Sequence, residues 1–418
     1  MWKSSKTVKI KNYKYGFMAD IENSIIKILQ VGRNINGTGG GRVILETSKH
    51  MVDQGYMVKI LTDVDVPDKL CPCNINITPI GRLLNRWSPG NRVFRVVRHF
   101  LQLLAFSFFG TISARVYSRK GWTILNHNIE IFCGDILVLH NFFRGEYEQD
   151  TRGFVRKNIR WLNPVFTFRL FREHCFLNRK RSLAVSAVSS MTAQEAEKYF
   201  EESSPVYAIN NGVNTDHFFP LDDVARAELR KEMGIVNDEI ILLFVGHEFE
   251  GKGLGYIIES LACQPKNVKL WVVGGRGSNQ DTYQVLAEKC GVQQRVRFFG
   301  TDLNTVKYYQ IADLFVLPSI YEAWPLVGLE AMACGIPALM TPVGGIPEYL
   351  KEGENGFFIE RDASDIAEKV QRLMREPELM GKIKNAARET SMQYSWETVA
   401  RKYLSLIRKV AREKAADA

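Results

Sequence analysis

Two carboxylates eight residues apart, Glu322 and Glu330, lie where this chain could bind a ligand carrying both phosphate and sugar groups. Glu322 falls in a polar stretch before Pro325, and Glu330 follows inside an apolar run. If that run is a helix, its first amides, at Leu326 and Val327, favour an anion such as a diphosphate. The carboxylates must then face hydroxyls instead, which predicts a nucleotide-sugar site. A helix decorated with glutamate for its dipole is the alternative.

The elements around these carboxylates have the pattern of a strand, loop, helix and strand. The apolar run 314–317, ended by Pro318, predicts a buried parallel strand. Pro325 suits the first position of a helix over residues 326–333, which places Glu330 in the first turn. Gly335 would end this helix, and residues 336–340 would form the next strand.

Other chemistry-bearing residues follow predicted strands earlier in the chain. Lys252 comes after the apolar run 240–245 and just before a predicted helix, 254–262, where an ammonium can pair with a bound phosphate. His140 ends the run 135–140, at the edge where open α/β sheets bind ligands. A structural role is the alternative for His140, and His127 is a weaker candidate of the same kind.

A glycine-rich stretch, Gly39 to Gly41, follows the first predicted strand, 25–31. An amphipathic helix, 43–54, and a second strand, 57–61, come next. Glycines let the backbone approach a ligand closely, but the spacing is not that of a dinucleotide-binding loop. A tight turn without a ligand is the alternative.

Composition and charge bound the class of protein. With 418 residues, 45% of them hydrophobic, the chain is long enough for two soluble domains. Residues 1–24 read as a basic extension without the apolar core of a signal peptide. The seven scattered cysteines, with Cys71 and Cys73 the only close pair, predict free thiols in a reducing cytoplasm. Residues 1–210 carry a net charge of +13 and the remainder −4, so the first half is expected to meet an anionic surface.

Two basic segments in the first half could form that surface. In residues 82–122 an apolar centre is flanked by arginines; its uncharged run, 100–114, is shorter than the about 20 residues of a membrane span. It predicts a helix lying in the interface of an anionic membrane, or a domain helix with a solvated arginine face. Residues 152–181 mix arginines with aromatic side chains, which favours a phosphorylated lipid or glycan over nucleic acid, since no RNA-binding signature accompanies them.

The segment 313–350 resembles retaining glycosyltransferases of the large group 1 family. The resemblance rests on Glu322-x7-Glu330, on Ala331 to Pro337 and on Gly344-Gly345-Ile346-Pro347-Glu348, about thirty positions in the right strand and helix context. It covers nearly the whole chain, including the NGV turn at 211–213, where Gly212 is expected at positive φ. It implies the GT-B fold, two doubly wound Rossmann-like domains separated by a cleft: an acceptor domain over 25–205, a donor domain over 206–392, and a helix, 393–418, that crosses back.

The resemblance also implies roles for individual residues. Glu322 would hold hydroxyls of the transferred sugar, Lys252 the diphosphate, and His140 the sugar. Donor binding is assigned to Glu330 at the ribose, and to Gly40, Gly41, His247, Arg297, Phe298, Trp324, Leu326 and Val327. The chain departs from the family at His247, where an arginine usually supplies a second cation; a neutral histidine donates a single hydrogen bond. The loop 246–253 is similar to that of lipopolysaccharide core glucosyltransferases.

The expected activity is therefore retaining transfer of a hexose from a nucleotide-sugar, UDP-linked, to a lipid-linked or lipopolysaccharide-type acceptor. No metal is expected, because lysine and helix amides can stabilise the leaving diphosphate. The expected location is cytoplasmic, peripheral at the inner face of the membrane. A nucleotide-sugar epimerase of the same fold, a non-catalytic carbohydrate-binding scaffold and a nucleic-acid-binding protein are the alternatives.

Overall fold

Two parallel β-sheets organise the chain. This computed structural model describes residues 26–36, 38–66, 75–80, 92–140, 163–177, 182–200, 204–236, 238–275 and 278–416. The expectations for residues 1–24, for Cys71 and Cys73, and for residues 81–91, 152–162 and 178–181 lie outside these ranges.

The first sheet, within the described ranges, has the strand order β3-β2-β1-β4-β5-β6-β7, and every pair is parallel. Its central strands are buried because helices cover both faces of the sheet. The strands are β1 Lys27–Val31, β2 Met57–Thr62, β3 Asn76–Pro79, β4 Trp122–His127, β5 Ile136–Leu139, β6 Ala184–Ala187 and β7 Val206–Ala208. The helices of this half are α1 Gly39–Asp53, α2 Arg92–Arg119, α3 Pro164–Leu177 and α4 Ser190–Phe200.

The second sheet, in the described part of the remaining chain, has the order β10-β9-β8-β11-β12-β13 and is also parallel. Its strands are β8 Ile240–Val245, β9 Val268–Val273, β10 Val296–Gly300, β11 Leu314–Leu317, β12 Ala338–Met340 and β13 Gly356–Phe358. Its helices are α5 Asp223–Glu232, α6 Leu254–Ser260, α7 Ser278–Lys289, α8 Val306–Ile311, α9 Leu326–Ala333, α10 Ile346–Tyr349, α11 Ala363–Arg375 and α12 Pro377–Met392. The run predicted as one helix over 254–262 is α6 followed by a 3₁₀ turn, Leu261–Cys263.

The last helix, α13 Trp396–Ala416, packs on α1 and the first sheet. Lys414 anchors it, with its Nζ 2.8 Å from a carboxylate oxygen of Asp135. The turn 211–213 connects the first half of the chain to the second and contains Gly212. The φ of Gly212 is not positive, so that prediction is wrong. Glycine is required there for space, because a Cβ would lie 2.8 Å from the carbonyl oxygen of Tyr394 and 3.0 Å from the Trp396 ring.

Helix α2 has two apolar faces. Its inner face buries Leu103, Phe106 and Ala114 against the first sheet. Its outer face exposes large apolar side chains beside the exposed arginines, and these are Phe94, Val96, Val97, Leu101, Phe108, Phe109, Ile112 and Val116. The uncharged run 100–114 is shorter than a membrane span, but the helix continues past its flanking arginines. By length and composition alone, residues 94–119 could cross a membrane.

Arg172 does not belong to a basic surface, although it lies in the segment 152–181 for which one was predicted. Its side chain is 1% exposed, donates to Ser107 Oγ and to the Glu130 carbonyl, and forms an ion pair with the Glu130 carboxylate. Burial lowers the pKa of Arg172, and the charge of Glu130 opposes that shift. A buried guanidinium must be hydrogen-bonded and paired with a carboxylate, and one of the acceptors here is Ser107 of α2. Arg172 therefore links α3 to α2.

Candidate active site

Several of the predicted site residues lie near the point where the strand order reverses, and each sheet has one such point. In the first sheet that place lies between β1 and β4, and in the second between β8 and β11. Ligands bind open α/β sheets in such crevices, outside the carboxyl ends of the strands. His127 ends β4, Lys252 lies in the loop after β8, and Glu322 lies in the loop after β11. The prediction that strand ends carry the site is consistent with this topology.

Lys252 and Glu322 form the centre of the second-sheet side. Lys252 Nζ lies 2.5 Å from Glu322 Oε1, and the hydroxyl of Ser319 donates to the same oxygen at 2.8 Å. The stem of Lys252 passes directly over Gly246, where a Cβ would lie 2.4 Å from Lys252 Cδ. A cation and a carboxylate, both partly exposed, are thus held side by side at the strand ends.

Two consecutive glycines fix the loop that carries Glu322. A Cβ on Gly344, whose φ is +59°, would lie 1.4 Å from the carbonyl oxygen of Glu322. A Cβ on Gly345 would lie 2.4 Å from the Trp324 ring, and the Gly345 amide donates to the carbonyl of Ala323 at 3.0 Å. The glycines named in the motif therefore shape this loop by close backbone approach.

The N-terminus of α9 opens beside the same loop. Pro325 is the residue before the helix rather than its first residue, and it makes no side-chain cap. The leading amides of Leu326 and Val327 therefore have no acceptor within the helix, the condition that favours an anion. Opposite lies the start of α1: a Cβ on Gly39 would lie 3.8 Å from Leu326 Cδ1. The first turns of the two helices are thus in contact distance of each other.

Gly39 to Gly41 form the first turn of α1, not a turn preceding it, and the helix starts four residues earlier than predicted. Thr38 caps it, since its Oγ1 accepts from the Gly41 amide at 3.0 Å. No side chain fits at Gly41, because a Cβ there would lie 2.1 Å from the carbonyl oxygen of Ile35. Gly40 lies beside His140, with 3.4 Å from its hypothetical Cβ to His140 Cδ2.

Glu330 lies in the second turn of α9, not the first, and its side chain is buried. Arg42 of α1 donates to Oε1, and the hydroxyl of Tyr309 donates to Oε2 at 2.9 Å. Both carboxylate oxygens are therefore engaged, and one of the partners comes from the opposite half of the chain. Glu330 raises the pKa of Arg42, whereas burial raises that of Tyr309 well above its usual value.

His140 belongs to a hydrogen-bonded chain that runs into the first sheet. Its Nε2 lies 2.8 Å from Nδ1 of His127, and the two rings are nearly parallel. His127 Nε2 lies 2.9 Å from the side-chain oxygen of Gln30. Burial lowers the pKa of His140 to about 4 and that of His127 well below its usual value. Both rings are therefore neutral at pH 7.

The remaining donor-binding candidates are differently placed. Nδ1 of His247, an exposed residue, accepts from the Gly275 amide at 3.4 Å, so only Nε2 can donate. The Arg297 guanidinium is 4.8 Å from the Phe299 ring centroid and donates to the Met233 carbonyl. Phe298 packs toward Phe249. Trp324 is 5% exposed and packs on Tyr349 and Tyr394, so its ring is part of the core.

Because the histidine pair is neutral in the fold, we expect the free energy of unfolding to depend on pH. Because the pKa of His140 is about 4 in the folded protein and about 6.5 when unfolded, unfolding takes up a proton between these values. The stabilisation is complete above pH 6.5 and is lost as the pH falls toward 4. Denaturant unfolding of His140→Asn should show a slope against pH that is smaller than wild type by up to about 1.4 kcal/mol per pH unit. Equal slopes would mean that the fold does not lower the pKa of His140.

Comparison with solved structures defines the fold. WaaG, a glycosyltransferase involved in lipopolysaccharide biosynthesis, superimposes with a TM-score of 0.72 over 91% of this chain and 99% of WaaG, at 20% identity. Anabaena Alr3699/HepE in complex with UDP-glucose gives a TM-score of 0.66 over 92% of this chain and 100% of that one, at 18% identity. The chain has the GT-B fold, and that prediction is confirmed.

Sequence comparison identifies the second half. Residues 225–390 match the family model described as glycosyl transferases group 1, so this part of the chain is a group 1 glycosyltransferase domain, as predicted. The glycosyltransferase MJ1607 of Methanocaldococcus jannaschii, itself uncharacterised, is 32% identical over 246 residues, which are 57% of this chain. The aligned region spans 63% of the length of that relative.

Sequence reasoning missed three residues that the structure brings into the site. Arg42 and Tyr309 hold Glu330, and Gln30 orients His127. Gln30 had a usable signal, since it is a polar residue within an apolar strand, and such a residue must find partners when it is buried. The partners of Arg42 and Tyr309 are 288 and 21 residues away, and no local pattern indicates them.

Proposed function

We propose that this protein is a retaining glycosyltransferase that moves a hexose from a nucleotide-diphospho-sugar, a UDP-sugar, to a glycan acceptor. The observation that carries the proposal is the Lys252–Glu322 pair beside the uncapped N-terminus of α9. This arrangement can hold a diphosphate and sugar hydroxyls together. The UDP-glucose bound to Alr3699/HepE supports the donor, and the role of WaaG in lipopolysaccharide biosynthesis supports a lipid-linked acceptor of that type.

In the proposed reaction, the bond between the anomeric carbon and the diphosphate oxygen breaks. An acceptor hydroxyl forms the new bond on the same face and gives its proton to the departing diphosphate. Lys252 and the amides of Leu326 and Val327 stabilise the negative charge that develops there, without a metal. Glu322 holds hydroxyls of the transferred sugar, and His140 lies beside it.

The ribose would reach Glu330 only after a neighbouring side chain moves. Each oxygen of Glu330 accepts one hydrogen bond and could accept another, but the Glu330 side chain is only 5% exposed. We place the movement at Arg42, whose side chain is 41% exposed, because Tyr309 is buried. The released guanidinium would then lie near the diphosphate and could supply the second cation that His247 does not.

A screen of nucleotide-sugars, with release of the nucleoside diphosphate as readout, tests this function. At least one donor should be turned over when a glycan acceptor extract is present, and Glu322→Gln should lower that turnover by at least about 100-fold. The matched control is Glu354→Gln, an exposed glutamate of the same half, which should leave turnover unchanged. Conversion of the donor without any acceptor would favour an epimerase. No turnover and no donor binding would refute the enzyme.

We also propose that the exposed apolar face of α2 lies in the interface of an anionic membrane on the cytoplasmic side. Phe108 and Phe109 are 62% and 56% exposed in the middle of that face, and exposed arginines such as Arg95 and Arg115 border it. Apolar side chains edged by cations suit an acyl and phosphate boundary. This surface would bring the acceptor half of the chain to a lipid-linked substrate.

The double variant Phe108→Ser/Phe109→Ser should lower the affinity for phosphatidylglycerol vesicles by about 30-fold, because roughly 2 kcal/mol of apolar burial is lost. Co-sedimentation measures the affinity. Val224→Ser, on α5 in the other half, removes an apolar side chain that is 71% exposed and should have no effect. Vesicle binding that is absent in wild type, or equal in both variants, would contradict the proposal.

A further inference from the structure

A buried chain of three side chains, Gln30, His127 and His140, determines which nitrogen of His140 carries a proton. His140 is close to the strand-end crevice, whereas Gln30 and His127 lie behind it, fully buried in β1 and at the end of β4. The three are joined by contacts of 2.9 Å and 2.8 Å. The direction of each hydrogen bond follows from the partners of Gln30.

The Gln30 amide can be oriented without ambiguity. Its Nε2 faces the carbonyl of Ile44, the hydroxyl of Thr47 and the hydroxyl of Ser48, at 3.3, 3.2 and 2.6 Å. A carbonyl only accepts, and Thr47 spends its own proton on the carbonyl of Val43 at 2.6 Å. Both therefore require the amide NH₂, which leaves the amide oxygen of Gln30 facing His127.

That oxygen sets the protonation along the chain. It can only accept, so His127 carries its proton on Nε2 and, being neutral, has a lone pair on Nδ1. This lone pair must accept from His140 Nε2–H. His140, also neutral, is then left with a lone pair on Nδ1. Among the side-chain nitrogens of Gln30, His127 and His140, only Nδ1 of His140 is buried without a hydrogen-bond partner in the described residues.

We propose that Gln30 and His127 are positioning residues that hold His140 as a hydrogen-bond acceptor at Nδ1, and that a hydroxyl of the transferred sugar donates to this atom. The second part rests on the proposed glycosyl transfer. The buried Nδ1 supports it, because a buried acceptor needs a donor and none of the described residues supplies one. In this state His140 neither donates a proton at Nδ1 nor adds positive charge to the site.

The tautomer is measured in the wild-type protein. Long-range ¹H–¹⁵N correlation spectra of ¹⁵N-histidine-labelled protein at pH 7.5 should show His127 and His140 both protonated on Nε2 and unprotonated on Nδ1. Assignment uses His127→Asn and His140→Asn. A proton on Nδ1 of His140, or an imidazolium, would overturn the proposal. This measurement requires no activity, so it stands or falls separately from the proposed function.

The hydroxyl is identified with donors in which one sugar hydroxyl at a time is replaced by fluorine or hydrogen. Fluorine can accept a hydrogen bond but cannot donate one. At the ring position that His140 binds, both replacements should therefore raise KM by about 10-fold. The same is expected at positions held by Glu322, and the Gln30 variant below distinguishes the two. If fluorine preserves KM at every position where hydrogen raises it, His140 is not the acceptor and the proposal fails.

Two variants test whether the effect of fluorine on KM depends on the hydrogen bonds among Gln30, His127 and His140. Gln30→Met removes the oxygen that orients His127, and it should reduce the fluorine effect on KM to about 2-fold or less. Thr47→Val removes one contact of the Gln30 amide but leaves its oxygen on His127. It should retain the full fluorine effect even if it lowers the melting temperature. If both variants behave alike, the chain has a structural role only; if Gln30→Met does not fold, the wild-type spectra decide.

Discussion

Lys252→Met is expected to lower kcat/KM for nucleotide-sugar turnover by about 10³-fold, roughly 4 kcal/mol of transition-state stabilisation. The reduction should appear in kcat, because the ammonium acts on charge that develops as the diphosphate leaves. The effect is large because Lys252 is fixed by Glu322 and by the space over Gly246, so that no reorganisation is needed during the reaction. Steady-state kinetics with the donor found in the nucleotide-sugar screen measure it.

Lys266→Met provides the matched control, since Lys266 is an exposed lysine of the same half of the chain. It should leave kcat and KM unchanged. Removal of Lys252 also leaves the partly buried carboxylate of Glu322 without its cation, so the melting temperature of both variants should be compared. A normal kcat in a folded Lys252→Met protein would place leaving-group stabilisation elsewhere, with Arg42 the next residue to test.

Gly344→Ala is expected to cost both activity and stability. Its Cβ would lie 1.4 Å from the carbonyl oxygen of Glu322, so the loop that carries Glu322 must move by an ångström or more. A displacement of this size in a positioned catalytic group lowers rates by about 100-fold. The positive φ of +59° adds about 1 kcal/mol of strain. Donor turnover and denaturant unfolding measure the two losses.

Gly353→Ala separates the collision from the strain. Gly353 also has a positive φ, +72°, but a Cβ there meets nothing within 4 Å. This variant should lose about 1 kcal/mol of stability through backbone strain and keep its activity. If the two variants lose activity equally, the contact between Gly344 and Glu322 does not position the site.

Local patterns in the sequence were sufficient for the elements of the second half. The buried strand over 314–317, the helix end at Gly335 and the loop containing Glu322 follow from apolar runs, proline and glycine, and the structure agrees within a few residues. Two local predictions were wrong for identifiable reasons. Consecutive glycines predict a turn at Gly39 to Gly41, although Thr38 caps a helix that begins with them. The resemblance predicts a positive φ at Gly212, although glycine is required there for close packing.

The basic segments of the first half are less predictable, because composition does not distinguish a buried arginine from an exposed one. Arg172 is buried where α3 meets α2, whereas Arg95 and Arg115 are exposed beside the apolar outer face of α2. Which side of a helix meets the sheet depends on the packing of distant strands. A periodic pattern that is apolar on both faces cannot indicate it.

The sequence by itself determined that Glu322, Glu330, Lys252 and His140 follow strands of doubly wound domains, because strand ends and helix starts are encoded locally. Only the tertiary structure decided how these groups are occupied. Glu330 is held by Arg42 and Tyr309, and His140 is oriented by His127 and Gln30. These contacts join residues up to 288 positions apart, and they arise because parallel strands bring their carboxyl ends to one edge of each sheet and the two halves of the chain meet there.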